Sequence, residues 1–246
     1  MVTMKRRDVP PHPRSLIKPL PFGISRPRER GGSSTAGAEF RLQGLYAITP
    51  DWAETRRLLA ATEAILAAGC RILQYRNKAA SDRHRQEQAV ALRGLTRRFN
   101  ALLIINDDVE LALFAEADGV HLGEDDGELA AARERLGSAA ILGATCYQSL
   151  NLARSAARAG ADYLAFGSFF ASFTKPLARR ADTALLETVR AEIDLPLCAI
   201  GGITLDNAAL LLAAGAEVLA VITALYDAAD PAAATRQFIQ LFEEKS

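Results

Sequence analysis

Eight short apolar runs, spread between residues 45 and 222, constrain the fold of this chain more than any other feature of its sequence. Each run is continuously apolar instead of alternating with polar residues, which is typical of parallel strands that are buried on both faces. The predicted strands are Leu45–Thr49, Arg71–Tyr75, Leu102–Ile105, Gly119–Leu122, Ala140–Ala144, Tyr163–Phe166, Leu197–Ile200 and Val218–Ile222.

Longer amphipathic segments separate these runs and predict helices between the strands. Three helix-to-strand joints have nearly the same sequence, and in each a glycine is expected to end the helix in a left-handed conformation. Such a repeat indicates a recurring unit of one strand and one helix. The joints are Ala67–Cys70, Ala159–Asp162 and Ala214–Glu217, and the clearest helical segments are Trp52–Ala68, Leu205–Ala214 and Pro231–Phe242.

Eight such units can form either a closed barrel or a doubly wound open sheet. The first strand-to-helix joint lacks the GxGxxG pattern of dinucleotide-binding open sheets, which weakens that alternative. The sequence therefore predicts the α/β class and a single (β/α)₈ barrel over residues 39–246.

Residues 1–38 differ from the rest of the chain in composition. They contain six prolines, and eight Lys or Arg residues against Asp8 and Glu29. A segment of this composition buries too little apolar surface to order itself, so we predict a disordered basic tail, with a targeting or anion-binding role as the alternative. Because the whole chain is neutral, the remainder carries a net charge of −6, which argues against a nucleic-acid partner.

Apolar length and cysteine usage bear on the cellular compartment. The tail lacks the apolar core of a secretory signal, and no later apolar segment is long enough to span a membrane. Cys70, Cys146 and Cys198 are scattered and form no CxxC pair, which argues against a zinc cluster and favours a reducing compartment. The sequence thus predicts a cytoplasmic protein with no membrane partner, and it leaves open whether the protein is a homo-oligomer.

Polar residues collect after the apolar runs and not before them. In a (β/α)₈ barrel the loops that follow the strands build the active site. Arg76, Lys78 and Lys175 are cations suited to phosphate oxygens. Asp107 and Asp126 follow neighbouring strands and can share a hard cation such as Mg²⁺, which prefers a few carboxylates together with substrate phosphate oxygens.

The loops after the last two strands indicate a second anion site. Gly201–Gly202 and Ile222–Thr223 stand where such barrels commonly bind a phosphate on backbone N–H groups. Two anion sites and a metal predict a reaction that joins two phosphorylated partners. Taken singly, an Asp107–Asp108 pair is also typical of helix N-capping, and His121 of a hydrogen-bonded structural histidine.

Seven motifs, in this order over about 200 residues, are highly specific together. They are Leu45–Thr49, Gln74-x-Arg76-x-Lys78, Ile105–Asp107, Ala117–Gly123, Gly160–Tyr163, Thr174–Lys175 and Ala199–Ile203. With them, the chain resembles the thiamine-phosphate synthase family, also called thiamine-phosphate pyrophosphorylase.

The resemblance implies a Mg²⁺-dependent transferase. Such an enzyme condenses 4-amino-2-methyl-5-(diphosphomethyl)pyrimidine with a thiazole phosphate to give thiamine phosphate and diphosphate, by a dissociative route. Arg76, Lys78 and Lys175 would then be the catalytic cations, and Asp107 and Asp126 the Mg²⁺ ligands. The pyrimidine diphosphate would contact Gln74, Tyr75, Arg76, Asn77, Lys78, Asn106 and Thr145. Ser172, Phe173, Thr174 and Lys175 would lie where the substrates meet, and Gly202, Ile222 and Thr223 would bind the thiazole phosphate.

Several positions depart from the family pattern, and two alternatives stay open. The departures are Glu124 for Gln, Thr145 and Thr223 for Ser, Ser172 for Thr, Tyr147 for His, and Ser168 and Ala171 where prolines are common. The first alternative is a thiazole tautomerase, a paralogue whose catalytic histidine falls where this chain has Ser168. The second is a non-catalytic sensor of thiazole phosphate, which would not need the diphosphate-binding residues.

Overall fold

A computed structural model describes residues 42–123, 127–171 and 180–244. The predicted tail, residues 1–38, lies outside the described residues. So do five predicted site residues, which are Asp126, Ser172, Phe173, Thr174 and Lys175.

Eight parallel strands close into a barrel in chain order, because the last strand pairs with the first. This closure confirms the predicted barrel and excludes the open sheet. The strands are β1 (Gly44–Ile48), β2 (Ile72–Tyr75), β3 (Leu102–Asn106), β4 (Gly119–Leu122), β5 (Ile141–Tyr147), β6 (Tyr163–Gly167), β7 (Leu197–Ile200) and β8 (Val218–Val221).

Helices follow the strands along the described part of the chain. They are α1 (Thr55–Ala67), α2 (Asp82–Arg98), α3 (Val109–Phe114), α4 (Leu129–Leu136), α5 (Leu150–Arg158), α6 (Ala184–Arg190), α7 (Leu205–Ala213), α8 (Thr223–Tyr226) and α9 (Pro231–Glu243). The three clearest predicted helices correspond to α1, α7 and α9. Among these helices, none combines the length and the apolar character that a membrane crossing requires.

Each predicted strand is present, and its ends lie within three residues of the prediction. The largest difference is at β5, which runs on to Tyr147. Its pairing with β6 shifts between Thr145 and Tyr147, so a bulge carries the strand past its apolar run into polar residues. The three predicted glycine stops also hold, since Gly69, Gly160 and Gly215 all have positive φ.

Successive residues of each strand face opposite sides of the barrel wall. In β1, Tyr46 and Ile48 point into the lumen, where they pack with Ile72, Ile104 and other side chains. Leu45 and Ala47 point outward into the apolar layer between strands and helices. This alternation explains why the runs are continuously apolar, and it decides which polar side chains near the strand ends reach the lumen.

Three acidic residues repeat one arrangement at the starts of even-numbered strands. Asp118 accepts a hydrogen bond from the Leu103 N–H at 2.8 Å and pairs with Arg93 at 2.6 Å. Asp162 does the same with the Leu142 N–H and Arg133, and Glu217 with the Leu197 N–H and Arg190. These clamps fix the strands at the barrel end opposite the loops that carry the predicted site.

Candidate active site

A cavity of about 850 Å³ opens at the carboxyl ends of the strands. Side chains and loops from all around the barrel line it, as expected for a (β/α)₈ site. On the side formed by β2 to β5, six predicted residues line the cavity: Gln74, Arg76, Lys78, Asn106, Asp107 and Thr145. Gly202, Ile222 and Thr223 line the other side, after β7 and β8. The structure therefore brings nine predicted residues together.

Arg76 is held by a carboxylate that the sequence analysis missed. Its Nη1 donates to both oxygens of Asp51, at 2.9 and 2.8 Å. Asp51 also accepts the Lys78 N–H at 2.8 Å, so one side chain fixes both the guanidinium and the backbone of the loop after β2. Asp51 follows β1 on the same end of the barrel as the other site residues. That position is the signal that could have identified it.

Asp107 and Asp108 have different roles, because one side chain lines the cavity and the other caps a helix. Asp107 has a φ of 63°, a left-handed conformation that Asp tolerates better than most residues. Its carboxylate lies 2.8 Å from the Lys78 Nζ. The Asp108 carboxylate instead accepts the Leu111 N–H at 2.8 Å and caps α3. Asp108 is thus the predicted helix N-cap, whereas the Asp107 side chain faces the cavity.

The Asp107 carboxylate is chemically suited to a magnesium ion. Mg²⁺ usually keeps several waters and is bound through one or two carboxylates plus substrate phosphates. The Asp107 side chain lies on the cavity wall beside the Lys78 ammonium group. No cluster of three or more His, Cys, Asp or Glu side chains suited to a metal occurs within residues 42–123, 127–171 and 180–244. Asp126, the other predicted Mg²⁺ ligand, lies outside these ranges.

Tyr75 and Asn77, both predicted to bind substrate, point away from the cavity. Tyr75 follows the lumen-facing Gln74, so it faces the helices, and its hydroxyl donates to the Gln88 Oε1 at 2.9 Å. The Asn77 Nδ2 donates to the same oxygen at 3.0 Å, while its Oδ1 accepts backbone N–H groups of its own loop. Both side chains hold the β2 loop against α2, and the structure does not bring them to the site.

His121 is buried at the floor of the cavity and is hydrogen-bonded at both ring nitrogens. The Nδ1 lies 2.9 Å from the Tyr163 hydroxyl, and the Nε2 lies 2.8 Å from the Thr145 Oγ1. Burial lowers the pKa of the imidazole to about 4, against a smaller opposing effect of Asp107. The ring is therefore neutral near pH 7, and its two hydrogen bonds agree with the predicted structural histidine.

The loops after β6 and β7 pack closely beside the second half of the cavity. Gly202 has a φ of +65°, and a Cβ there would lie 2.3 Å from the Ala171 carbonyl oxygen. Only glycine fits this position. The Ser168 Oγ donates to the Phe170 carbonyl oxygen at 2.8 Å, so this side chain stabilises its own loop.

Comparison with known proteins gives the family. A sequence profile described as thiamine monophosphate synthase matches residues 45–225. The chain belongs to this family. It is 59% identical over 201 residues to the thiamine-phosphate synthase of Methylobacillus flagellatus, a match that covers 82% of this chain and 96% of the relative. It is 54% identical to the thiamine-phosphate synthase of Thiobacillus denitrificans, with 81% and 94% covered.

A solved structure shows the same architecture. The thiamine phosphate pyrophosphorylase from Pyrococcus furiosus superposes with a TM-score of 0.74 at 36% identity, over 82% of this chain and 96% of the other. The structural comparison thus agrees with the family that the sequence comparison gives.

Proposed function

We propose that this chain is a thiamine-phosphate synthase, a transferase that joins 4-amino-2-methyl-5-(diphosphomethyl)pyrimidine to a thiazole phosphate and releases diphosphate. Two relatives that the chain matches over 96% and 94% of their own length are named for this activity. The observation that carries the proposal is the polarity of the cavity. Arg76 and Lys78 lie on one side of it, Gly202 and Thr223 lie on the other, and both sides open into one volume.

The diphosphate half of the substrate binds, in this proposal, on the side of β2 to β5. Arg76 and Lys78 neutralise its oxygens, and Asn106 and Thr145 contribute neutral hydrogen bonds. Asp51 keeps the Arg76 guanidinium in place before the substrate arrives. Preorganised cations of this kind need no rearrangement when the leaving group gains charge.

Mg²⁺ belongs in the same half. Asp107 would bind it, together with Asp126, a residue outside the described ranges. When bound, the ion draws negative charge from the diphosphate oxygens and so favours their departure. The Lys78 ammonium group lies 2.8 Å from the Asp107 carboxylate, so a second positive charge stands beside this proposed Mg²⁺ ligand.

The reaction exchanges one bond for another. The C–O bond between the pyrimidine methylene and the diphosphate breaks, and its electron pair leaves with the diphosphate. The thiazole nitrogen then supplies the pair for the new C–N bond. No proton has to move and no protein nucleophile is needed. Because the negative charge on the leaving diphosphate grows in the transition state, the cations stabilise that state selectively. Departure of the diphosphate would leave a pyrimidinylmethyl cation. Ile48, Ile200 and Ala220 give the cavity an apolar lining, which would limit the access of water to this cation.

The thiazole phosphate binds, in this proposal, between the loops after β7 and β8. Gly202 lets the chain turn with a positive φ there, and Ile222 and Thr223 border the same region. Barrels commonly bind a phosphate at these two loops. Ser172, Phe173, Thr174 and Lys175 remain proposed for the junction of the two substrates.

We place this reaction in the cytoplasm, because Cys70, Cys146 and Cys198 are free, buried thiols. Its partners are the two small phosphorylated substrates.

A two-substrate assay tests the proposal. Purified chain with Mg²⁺ and both substrates should form thiamine phosphate and diphosphate in equal amounts, and omission of either substrate should abolish product. Thiazole-phosphate binding without any product would overturn the synthase and indicate a sensor. Isomerisation of the thiazole alone would indicate the tautomerase.

A further inference from the structure

Five polar side chains form one continuous series of hydrogen bonds across the barrel lumen. The Gln74 Nε2 donates to the Tyr46 hydroxyl at 2.9 Å, and the two hydroxyls of Tyr46 and Tyr163 lie 3.0 Å apart. The series continues from the Tyr163 hydroxyl to the His121 Nδ1 at 2.9 Å, and from the His121 Nε2 to the Thr145 Oγ1 at 2.8 Å. We call these five residues the lumen series.

The three middle residues of the lumen series are almost fully buried. Tyr46, Tyr163 and His121 are 1%, 0% and 8% exposed. A Cβ at position 143 would lie 2.3 Å from the Tyr163 hydroxyl and 2.5 Å from the His121 Nδ1, so Gly143 makes room for their contact. The Thr145 end is half-buried and lines the cavity. Hydrogen bonds inside the series must therefore be satisfied by its own members.

With the Gln74 amide donating to the Tyr46 hydroxyl, a count of hydrogens gives the direction of the series. Each phenol has one hydrogen to donate, and a neutral imidazole has one N–H. Because Tyr46 accepts from the Gln74 amide, its own hydrogen goes to Tyr163, and the Tyr163 hydrogen goes to the His121 Nδ1. The imidazole hydrogen must then lie on Nε2, where it is donated to Thr145. Thr145 is left with its hydroxyl hydrogen to donate into the cavity.

Building on the proposed function, we propose that Tyr46, Tyr163 and His121 are positioning residues that fix the Thr145 hydroxyl as a donor to a diphosphate oxygen. A threonine hydroxyl without this partner could rotate and present its lone pairs to an anion, which is unfavourable. In the lumen series the accepting position of Thr145 is already occupied by the histidine N–H. The donor is thus oriented before charge develops on the leaving group.

The His121 tautomer is the direct test, and it needs no substrate. The chain has three histidines, so His121→Gln assigns the resonances in ¹⁵N NMR spectra of the full chain. We expect the hydrogen on Nε2 and a bare Nδ1. A hydrogen on Nδ1 would reverse the direction of the series and overturn the proposal. This measurement stands even if the wild-type chain makes no thiamine phosphate, which would instead refute the proposed function.

A double-mutant cycle tests whether the series acts through Thr145. Tyr163→Phe should lower the single-turnover rate about tenfold, the typical worth of one hydrogen bond. In a Thr145→Val background the same change should have no further effect. Equal effects in both backgrounds would show that Tyr163 acts on packing alone and would overturn the proposal. Tyr226→Phe is the matched control, because it removes another buried phenol hydroxyl, bonded to Thr62 at 3.0 Å, outside the lumen. Its rate should equal that of the wild type.

Discussion

Arg76 and Asp51 illustrate how the site gains its order from single side chains. The two form a pair in which one guanidinium nitrogen reaches both carboxylate oxygens. The Arg76 side chain is 24% exposed, so it remains accessible to a substrate. A cation that is already held loses less side-chain entropy on binding an anion.

Asp51→Ala should therefore weaken binding of the diphosphate substrate. Loss of the Asp51 carboxylate frees the Arg76 side chain. It also removes the acceptor of the Lys78 N–H, which lies 2.8 Å from Asp51. We expect kcat/KM for the pyrimidine diphosphate to fall about tenfold, as for the loss of one or two hydrogen bonds. Steady-state kinetics with the thiazole phosphate saturating measures this.

Glu192→Ala is the matched control for that experiment. Glu192 pairs with Arg154 through two hydrogen bonds of 2.8 and 2.9 Å, on the outside of the barrel. Removing it deletes a similar bidentate pair without touching the cavity, and kcat/KM should stay at the wild-type value. If both variants lose activity equally, Asp51 has no special role in holding Arg76.

His121 predicts how stability depends on pH. Burial lowers the pKa of its imidazole from 6.5 to about 4. Between these values the unfolded chain binds a proton that the folded chain does not, so the free energy of unfolding falls as the pH falls through this window. The loss levels off below about pH 4. Its slope approaches about 1.4 kcal/mol per pH unit in the middle of the window.

Urea unfolding at pH 7.5 and pH 5.5 measures this effect. The wild type should lose about 1 kcal/mol more than His121→Gln between the two conditions, because glutamine does not titrate. Other groups titrate alike in both proteins, so the difference isolates the histidine. Parallel losses in the two proteins would contradict a depressed pKa for His121.

At the scale of elements, each of the three acidic clamps joins two neighbouring strands, so the barrel contains a repeated pair of strands. Asp118, Asp162 and Glu217 stand at equivalent positions before β4, β6 and β8, and each accepts an N–H from the preceding strand. Arg71 occupies the equivalent position before β2, and its guanidinium donates to the carbonyl groups of Leu66 and Cys70. At the start of each even-numbered strand, a charged residue thus forms hydrogen bonds with backbone groups.

Asp118→Ala should destabilise the fold without disturbing the cavity. The change leaves the Leu103 N–H and the half-buried Arg93 guanidinium without their partner. A loss of about 1–3 kcal/mol in the free energy of unfolding is expected. Chemical denaturation measures it, and kcat at a temperature where the variant is folded should be unchanged.

Glu116→Ala gives the contrast for Asp118. Glu116 also pairs with an arginine of α2, Arg97, but its side chain is exposed. Unlike Asp118, it forms no hydrogen bond to a strand N–H within the part of the chain that the structure describes. Exposed ion pairs contribute little to stability, so the unfolding midpoint should not move. A loss as large as that of Asp118→Ala would show that the clamp has no special value.

The elements were predictable from the sequence because each strand is a continuous apolar run with both faces buried. The same property hid the direction of individual side chains, since a run without alternation does not show which residues face the lumen. Tyr75 was therefore grouped with Gln74, although it faces α2. The lumen series was out of reach for the same reason, because it joins Tyr46 to Tyr163 across 117 residues of chain.

Seen as a whole molecule, the barrel separates its stabilising contacts from its cavity. The acidic clamps lie at the strand starts, and the polar residues of the cavity lie at the strand ends. Loops can therefore differ at one end while the strands stay fixed at the other. Because of this separation, most of the site could be predicted from the polar residues that follow the strands in the sequence.

Removal of residues 1–38 should leave the reaction intact. The family match begins at residue 45, and every residue proposed here to contact a substrate follows it. The truncated chain should keep the wild-type kcat and KM in the two-substrate assay. A clear loss of activity would show that the basic segment contributes to catalysis or binding.

The central claim is that one cavity has separate halves for the two substrates. Calorimetric titration of Arg76→Ala and Gly202→Ala with inorganic diphosphate and with thiazole phosphate tests it most directly. Arg76→Ala should raise the Kd for diphosphate about tenfold or more and leave thiazole-phosphate binding unchanged. Gly202→Ala should do the reverse, because a Cβ there would clash with the loop after β6. If either variant weakens both ligands equally, the cavity is not divided in this way.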